Sequence, residues 1–193
     1  MRVSDTLGTL ALSLAIVASL TPRLALGAPG DLDTTFAGTG IVTQSVFDGD
    51  NEAGALAIDS AGRIVVGGYA SAAGQTIVAR YLPDGQLDTT FDGDGVVTVA
   101  GGQFVVSVAT RADNGVVVSV AGPGGVQLLG FLESGSFDPS FGTSGIVSVP
   151  TLCNDGANLA SLAIQPDGRI LGAQMLKNPT HEDGLSKMRS ECL

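Results

Sequence analysis

A five-residue segment that recurs along the chain constrains the fold more than any other feature. Leu32-Asp33-Thr34-Thr35-Phe36 recurs with the same five letters at residues 87–91 and in a related form, Phe-Asp-Pro-Ser-Phe, at residues 137–141. We call these three segments the markers. Two glycines and a pair of β-branched residues follow each marker. Spacings of 55 and then 50 residues are typical of repeat proteins, in which each copy folds as the same small unit.

Two further blocks repeat in phase with the markers. Residues 56–66 align with 108–118 and again with 162–171, and residues 77–85 align with 127–135. Short runs rich in Val, Ile and Thr, separated by turn residues, predict β-strands. The predicted strands are 41–46, 53–58, 64–69 and 76–82 in the first unit, 96–100, 104–110, 116–121 and 126–132 in the second, and 146–149, 161–165 and 169–173 in the third.

Two turns between the second and third strands of a unit carry clear sequence signals. Asn114-Gly115 predicts a type I′ hairpin, because both central residues of that turn need positive φ. Pro166-Asp167-Gly168 predicts a type I turn that ends in a left-handed glycine. No segment after residue 27 shows helical periodicity. The chain is therefore predicted to be all-β after that point.

The length of the unit favours one all-β architecture. Four antiparallel strands in about 50 residues match one blade of a β-propeller, whereas a solenoid coil takes fewer residues per turn. We predict antiparallel four-stranded repeat units in a partial β-propeller-like array, with a β-solenoid as the alternative. The repeats occupy residues 28–174, divided at roughly 31–85, 86–135 and 136–174.

The repeats also resemble a known family. The markers, the A-x-Q-P-D-G-R-I stretch at residues 163–170 and the A-R-Y-x-P-D-G-x-L-D stretch at residues 79–88 are similar to the delta-60 repeats of bacterial exported proteins. The resemblance covers roughly Gly30 to Gln174. It implies a β-propeller-like fold and export, and it implies no activity, because that family is defined by its repeat.

The number of repeats raises a question about closure. Propellers close with about four to eight blades, and this chain predicts two complete units and three strands of another. An open array leaves unpaired strand edges, so self-association through open blade edges is one expectation. The polar tail, residues 175–193, holds both lysines and the single histidine. This break in composition favours a truncated or frameshifted fragment, with a natural polar tail as the alternative.

The first 27 residues predict a cleavable signal peptide. Arg2 provides the positive start, an uncharged apolar run extends from Leu7 to Leu20, and small residues precede a cut after Gly27. The apolar run is too short to span a bilayer comfortably, so no membrane span is expected after cleavage. The expected location is secreted or periplasmic. Export would permit a disulfide between Cys153 and Cys192, and their pairing is left open.

The charge of the chain excludes one class of partner. The full sequence has a net charge of −10, and the chain without residues 1–27 has 7 basic and 18 acidic residues, a net charge of −11. Such an acidic surface repels nucleic acid, so no nucleic-acid partner is expected. A protein or a surface glycan remains the expected kind of partner.

Few residues suggest a catalytic or metal-binding site. Asp48, Asp50 and Glu52 form one oxygen-rich loop, Asp92 and Asp94 form another, and these five are weak candidates for binding calcium. The aspartates of the markers, at positions 33, 88 and 138, are better explained as residues that begin turns.

Nucleophilic catalysis finds no support, because the single histidine, His181, lies in the tail. We therefore expect no catalytic residues and no cofactor, apart from calcium at the weak candidates above. The sequence predicts a non-enzymatic binding or structural scaffold. The alternatives are a fragment of a longer propeller and a propeller enzyme whose site needs further blades.

Overall fold

The protein folds into short strands joined by tight turns. A computed structural model describes residues 30–101, 104–122, 125–149, 159–176 and 187–192, and no helix occurs in these ranges. Apart from residues 30 and 31, they belong to one compact unit, Leu32–Leu193. The strands are β1 (Asn51–Ile58), β2 (Ile64–Ala70), β3 (Gln75–Tyr81), β4 (Val96–Ala100), β5 (Phe104–Thr110), β6 (Val116–Gly122), β7 (Gly125–Phe131), β8 (Ile146–Val149), β9 (Leu159–Ile164), β10 (Ile170–Leu176) and β11 (Lys187–Cys192).

These strands form three antiparallel sheets. The first sheet has the order β1-β2-β3-β4, the second β5-β6-β7-β8 and the third β9-β10-β11. Each sheet begins with the same irregularity of register, at 53/55 in β1, at 105/107 in β5 and opposite 173/174 in β9. A bulge that recurs at the same place in each sheet is a regular feature of the repeat and not a local defect. The prediction of an all-β fold with antiparallel four-stranded units is confirmed.

The sheets are offset by one strand from the sequence repeats. β3 pairs with β4, which lies beyond the second marker, and β7 pairs in the same way with β8 beyond the third marker. Each four-stranded sheet therefore takes its outer strand from the next repeat. The predicted strand at 41–46 is wrong, since the structure assigns these residues to no strand. They correspond to β4 and β8, and no strand in the described part of the chain lies beside them to complete a ladder.

The C-terminal tail contributes to the third sheet. β10 continues to Leu176, and β11 pairs with it from Leu171↔Cys192 to Leu176↔Lys187. Polar composition gave no indication of a strand here. The main-chain groups of β10 offer a ladder to any extended segment, whatever its side chains, and the backbone of β11 fills that place.

One turn differs from its prediction. Asn114 has a φ of 61°, whereas Gly115 is not among the residues with positive φ, so the turn is not of type I′. Arg111 pairs with Gly115 by a main-chain bond of 2.8 Å, which leaves a three-residue loop that needs one left-handed residue. Gly168 has a φ of 85° at the equivalent place in the third repeat, as predicted.

Neighbouring sheets pack face to face. We call the face toward the preceding sheet the leading face and the opposite one the trailing face. The trailing face of the first sheet, with Val65 and Val78, packs on the leading face of the second, with Val108, Val116 and Val118. The second sheet is buried on its trailing face as well, where Val117 and Leu128 pack on Leu162 of the third. Burial on both faces explains why β6 is a nearly continuous run of valines.

The predicted signal peptide, residues 1–27, and Cys153 lie outside the described residues. No helix among the described residues is long and apolar enough to cross a membrane.

Candidate functional site

The aspartate of each marker begins a turn by binding the residue two positions later. The Oδ1 atom of Asp33 accepts bonds from the main-chain N of Thr35 at 2.9 Å and from its hydroxyl at 2.6 Å. Asp88 accepts the same pair from Thr90, at 3.1 and 2.6 Å, and Asp138 accepts it from Ser140, at 2.9 and 2.6 Å. The turn-forming role predicted for these aspartates is confirmed.

The other carboxylate oxygen of Asp88 binds an arginine that is buried inside the array. Arg80 has no exposed surface, and its Nε lies 2.7 Å from Asp88 Oδ2. The same guanidinium donates to Thr90 Oγ1 at 3.1 Å and, from Nη1, to the main-chain oxygen of Glu133 at 2.6 Å. It also lies 4.6 Å from the centre of the Phe91 ring. Arg80 therefore ties its own sheet, the second marker and the turn after β7 together.

A second, partly exposed arginine ties a different part of the first sheet to the turn after β7. The Arg63 Nε atom donates to Asp59 Oδ2 at 2.6 Å, and its Nη2 donates to Glu133 Oε1 at 2.7 Å. Asp59 also accepts main-chain bonds from Ala61 and Arg63, each 2.9 Å long. Arg63 thus joins the hairpin between β1 and β2 to the next repeat.

The second sheet holds its marker aspartate with a different arginine. The position equivalent to Arg80 is Gly130, and the position equivalent to Asp59 is Arg111. Arg111 donates from Nη1 to Asp138 Oδ2 at 2.7 Å and from Nη2 to the main-chain oxygen of Phe131 at 3.3 Å. A Cβ atom at position 130 would lie only 2.5 Å from the ring of Phe141, so glycine gives that ring its place.

These contacts shift the acidity of the marker aspartates. The hydroxyl of Ser140, followed by Arg111, lowers the pKa of Asp138 to about 2. Burial alone would raise the pKa of Asp88, but the bonds from Thr90 and the charge of Arg80 outweigh it and lower that pKa. The bonds from Thr35 also lower the pKa of Asp33. All three carboxylates are therefore held ionised for structure rather than poised for proton transfer.

The structure does not gather the calcium candidates into one cluster. Asp48 and Asp50 lie exposed in the loop before β1, and Glu52 lies exposed within β1. Asp92 donates its main-chain N–H to the oxygen of Ser134 at 2.8 Å, and Asp94 Oδ1 accepts from the N of Val96 at 2.8 Å. Within the described ranges, no three side chains of the types His, Cys, Asp and Glu are grouped as metal ligands would be. Calcium binding by either loop stays a prediction.

An apolar groove lies on the leading face of the first sheet. Its volume is about 370 Å³. Phe36 and Val42 border it on one side, and Leu56, Val66 and Tyr81 form part of its floor. Leu56 is 65% exposed, whereas Val108, its equivalent in the second sheet, is 7% exposed. The leading face of the first sheet is therefore open at a place where the same face of the second sheet is buried.

Sequence reasoning missed the arginines entirely. Arg80 stands in the apolar run of β3, eight residues before the marker aspartate with which it pairs. A lone arginine on a buried strand needs a carboxylate partner, and that rule was the available signal. The exchange of Asp59 for Arg111 between two aligned repeats was a second signal of the same network.

A comparison with known proteins agrees with this geometry. Residues 62–91 match a family described as "Domain of unknown function (DUF5122) beta-propeller". The matched stretch contains β2, β3, the second marker and both arginines of the first sheet. No curated protein matches the chain. The match and the repeated antiparallel sheets together indicate a β-propeller-like repeat protein.

Proposed function

We propose that this protein is an exported, non-enzymatic scaffold or binding module, located outside the cytoplasm. The proposal rests on one observation: the buried charged side chains form structural ion pairs. Arg80, Asp88 and Asp138 are all engaged in ties between strands, markers and neighbouring repeats. A residue committed in this way stabilises an array and is unavailable as an acid, a base or a nucleophile.

Further support comes from the sequence. The predicted signal peptide ending at Gly27 supports export, and the L-D-T-T-F markers support the delta-60 type of repeat in particular. The net charge of −11 without residues 1–27 argues against nucleic acid and anionic membranes as partners.

The partner that we propose is a protein or a surface glycan. Its contact surface would be the loops at the marker end of the sheets. An open cleft there is lined by polar side chains, among them Arg63, Thr90 and Glu133, and has a volume of about 510 Å³. Thr90 and Glu133 are exposed in this cleft, and polar groups of this kind give hydrogen bonds to hydroxyl groups or to a peptide backbone.

Cell fractionation with N-terminal sequencing tests export. The full-length gene is expressed in the exporting host, and the expected product begins at Ala28 outside the cytoplasm. Full-length protein retained in the cytoplasm would refute the proposal. Two variants of the apolar run provide a matched comparison. Leu14→Arg places a charge in that run and should abolish export, whereas Ser13→Thr should leave export unchanged.

Binding is tested on isolated cell envelopes. The purified protein is sedimented with envelopes that are untreated, treated with protease, or oxidised with periodate to destroy glycans. Saturable binding that is lost after one of these treatments supports a partner of that class. Sedimentation that never exceeds a buffer control, at any concentration tried, would exclude an envelope partner.

A further inference from the structure

The first sheet leaves uncovered a face that is covered in the second sheet. Val108, Val116 and Val118 on the leading face of the second sheet are buried beneath the first sheet. Their equivalents in the first sheet are Leu56, Ile64 and Val66, which line the groove. Since the repeat is the same, the molecule itself shows which kind of surface fits there: the trailing face of another sheet.

The trailing face that covers the second sheet has a simple pattern of side chains. Its first strand presents the small residues Ala55 and Ala57, and its second strand presents Val65 and Gly67. A Cβ at Gly67 would lie 2.8 Å from a methyl group of Val108 and closer still to Val105. Small residues on this face therefore permit the close approach of the next sheet.

The trailing face of the third sheet repeats that pattern. Ser161 and Ala163 occupy the positions of Ala55 and Ala57, and both are exposed. Leu171 and Ala173, which are half-buried, occupy the positions of Val65 and Gly67.

The sizes of the two unpaired faces also agree. Where the covered interface puts Gly67 against Val105, the unpaired faces offer Ala173 and Ala53. One face has gained a methyl group, and the other has lost the bulk of a valine. The carbon gained on one face offsets part of the loss of two carbons on the other, so the contact becomes smaller by one carbon, a small change for a packed interface.

The edges of the sheets are complementary as well. The third sheet has three strands in the described residues, so β11 is its outer edge. Residues 41–46 correspond to the outer strands β4 and β8 but pair with nothing that the structure describes. The turn after the first marker is held in the same way as the turn after the second. The Ala37 N–H donates to the main-chain oxygen of Asp84 at 2.8 Å, and the Asp92 N–H donates to that of Ser134 at 2.8 Å.

We propose that two copies of this chain associate head to tail. The trailing face of the third sheet of one copy packs on the leading face of the first sheet of the other, and residues 41–46 of that second copy add to β11 as a fourth strand. The pairing of Gln75 with Ala100 and of Ala79 with Val96, carried over, places Lys187 opposite Ser45 and Glu191 opposite Ile41.

The number of sheets fits a closed ring. With residues 41–46 in place, the described residues of each copy form three four-stranded sheets, and those of two copies form six. Propellers close with about four to eight blades, so two copies are the one whole number that falls in this range. The interface is heterologous, and it closes because each copy offers both faces. This assembly is independent of export and of any envelope partner.

Light scattering on the purified full-length gene product, in the form that the cell accumulates, tests the assembly. The wild type should have the mass of two copies. Leu56→Glu and Ala173→Arg each place a charge in the interface and should weaken association by at least about 100-fold. Leu132→Glu is the matched control, since Leu132 is an exposed apolar residue away from both faces, and it should stay dimeric.

Mixing the two variants distinguishes a head-to-tail contact from a symmetric one. In a mixed ring, one interface is wild type and the other sets the introduced glutamate near the introduced arginine, so a 1:1 mixture should regain the mass of two copies. A mixture of Leu56→Glu with Ala173→Glu also keeps one wild-type interface but sets two like charges together at the other, so it should associate more weakly than the first mixture. A wild type that is monomeric at all concentrations, or a failure of the first mixture to associate, would overturn the proposal.

Hydrogen exchange separates loss of association from loss of folding. In the wild type, the amides of residues 41–46 should be protected, and Leu56→Glu should remove that protection. The amides of β6 should remain protected in both proteins, because the second sheet is covered within one copy. Equal exchange of residues 41–46 in the two proteins would contradict the added strand.

Discussion

The first and second sheets have the same strand order and the same marker turn, but they secure that turn by different means. In the first sheet the cation comes from the C-terminal end of β3, where Arg80 is buried between the sheets. In the second it comes from the hairpin between β5 and β6, where Arg111 is partly exposed. Both cations reach the same oxygen, Oδ2, of the marker aspartate.

The difference shows which part of the tie is essential. The fold needs a donor at one carboxylate oxygen, and it does not need that donor to come from a fixed strand. In the second sheet, Gly130 stands at the position of Arg80, so another group must fill the space of the arginine side chain. The ring of Phe141 fills it in the second sheet, where it lies against Gly130. The two solutions therefore differ in how sensitive they should be to substitution.

The largest effect is expected from Arg80→Met. The change leaves the buried carboxylate of Asp88 without its main partner, and breaking a buried pair in this way costs about 3–5 kcal/mol of the free energy of unfolding. Urea unfolding measures this cost. The double variant Arg80→Met, Asp88→Asn removes the stranded charge and should recover much of the loss. A cost below about 1 kcal/mol for Arg80→Met would show that the tie is not structural.

A smaller effect is expected from Gly130→Ala. The added methyl group must displace the ring of Phe141, and overpacking of this kind costs about 1–3 kcal/mol. Gly130→Ala combined with Phe141→Leu should cost less than the sum of the two single changes, as measured by a double-mutant cycle in urea. If the costs of the two single changes simply added, the new methyl group would not be in contact with the ring of Phe141, and the packing described above would be contradicted.

Acid should affect the second sheet through Asp138. Its folded pKa is about 2, below the ordinary value of about 3.9, so its stabilising contribution is complete above about pH 5 and is lost progressively as the pH falls toward 2. Urea unfolding at pH 5, 4, 3 and 2 should show a shallower decline for Asp138→Asn than for the wild type.

Asp33→Asn is the control, because Asp33 forms the same turn with Thr35 but is exposed. It should change the slope of stability against pH less than Asp138→Asn does. Equal slopes for the two variants would mean that the arginine contributes nothing to the shift.

The smallest effect is expected at Glu133. Its carboxylate is about half exposed, and its bond to Arg63 is that of a surface ion pair, worth about 0.2–1 kcal/mol. Glu133→Gln should therefore destabilise the protein slightly at low salt and hardly at all in 1 M sodium chloride. The bond from Arg80 goes to the main-chain oxygen of Glu133 and should survive the change. A loss as large as that of Arg80→Met would contradict this division of roles.

The recurrence of the markers and the alternation of short apolar runs were enough to predict the all-β fold and ten of the strand positions. Such patterns report local preference, and local preference decides hairpins well. The strand predicted at 41–46 failed for a reason that no local pattern contains. Its sequence resembles β4 and β8, but a strand exists only where a neighbour completes its ladder.

The candidate site was harder to predict for the opposite reason. The acidic residues near Asp48 and Asp92 were conspicuous in the sequence, and the structure leaves them in separate exposed loops. Arg80 was inconspicuous, because its partners come from the marker eight residues later and from a turn more than 50 residues away. Contacts made across repeats are visible only when the repeats are stacked in space.

The offset between repeats and sheets has a consequence for how the array comes apart. Each four-stranded sheet is completed by a strand that belongs to the following repeat, so the covalent chain itself connects one layer to the next. In repeat proteins whose units are self-contained, a terminal unit can fray and leave its neighbour intact. Here, losing the second repeat would strip the outer edge from the first sheet. Adjacent layers should therefore unfold in a single concerted step, and the strand exchange through β4 and β8 would make the array more cooperative than the strength of any single contact suggests.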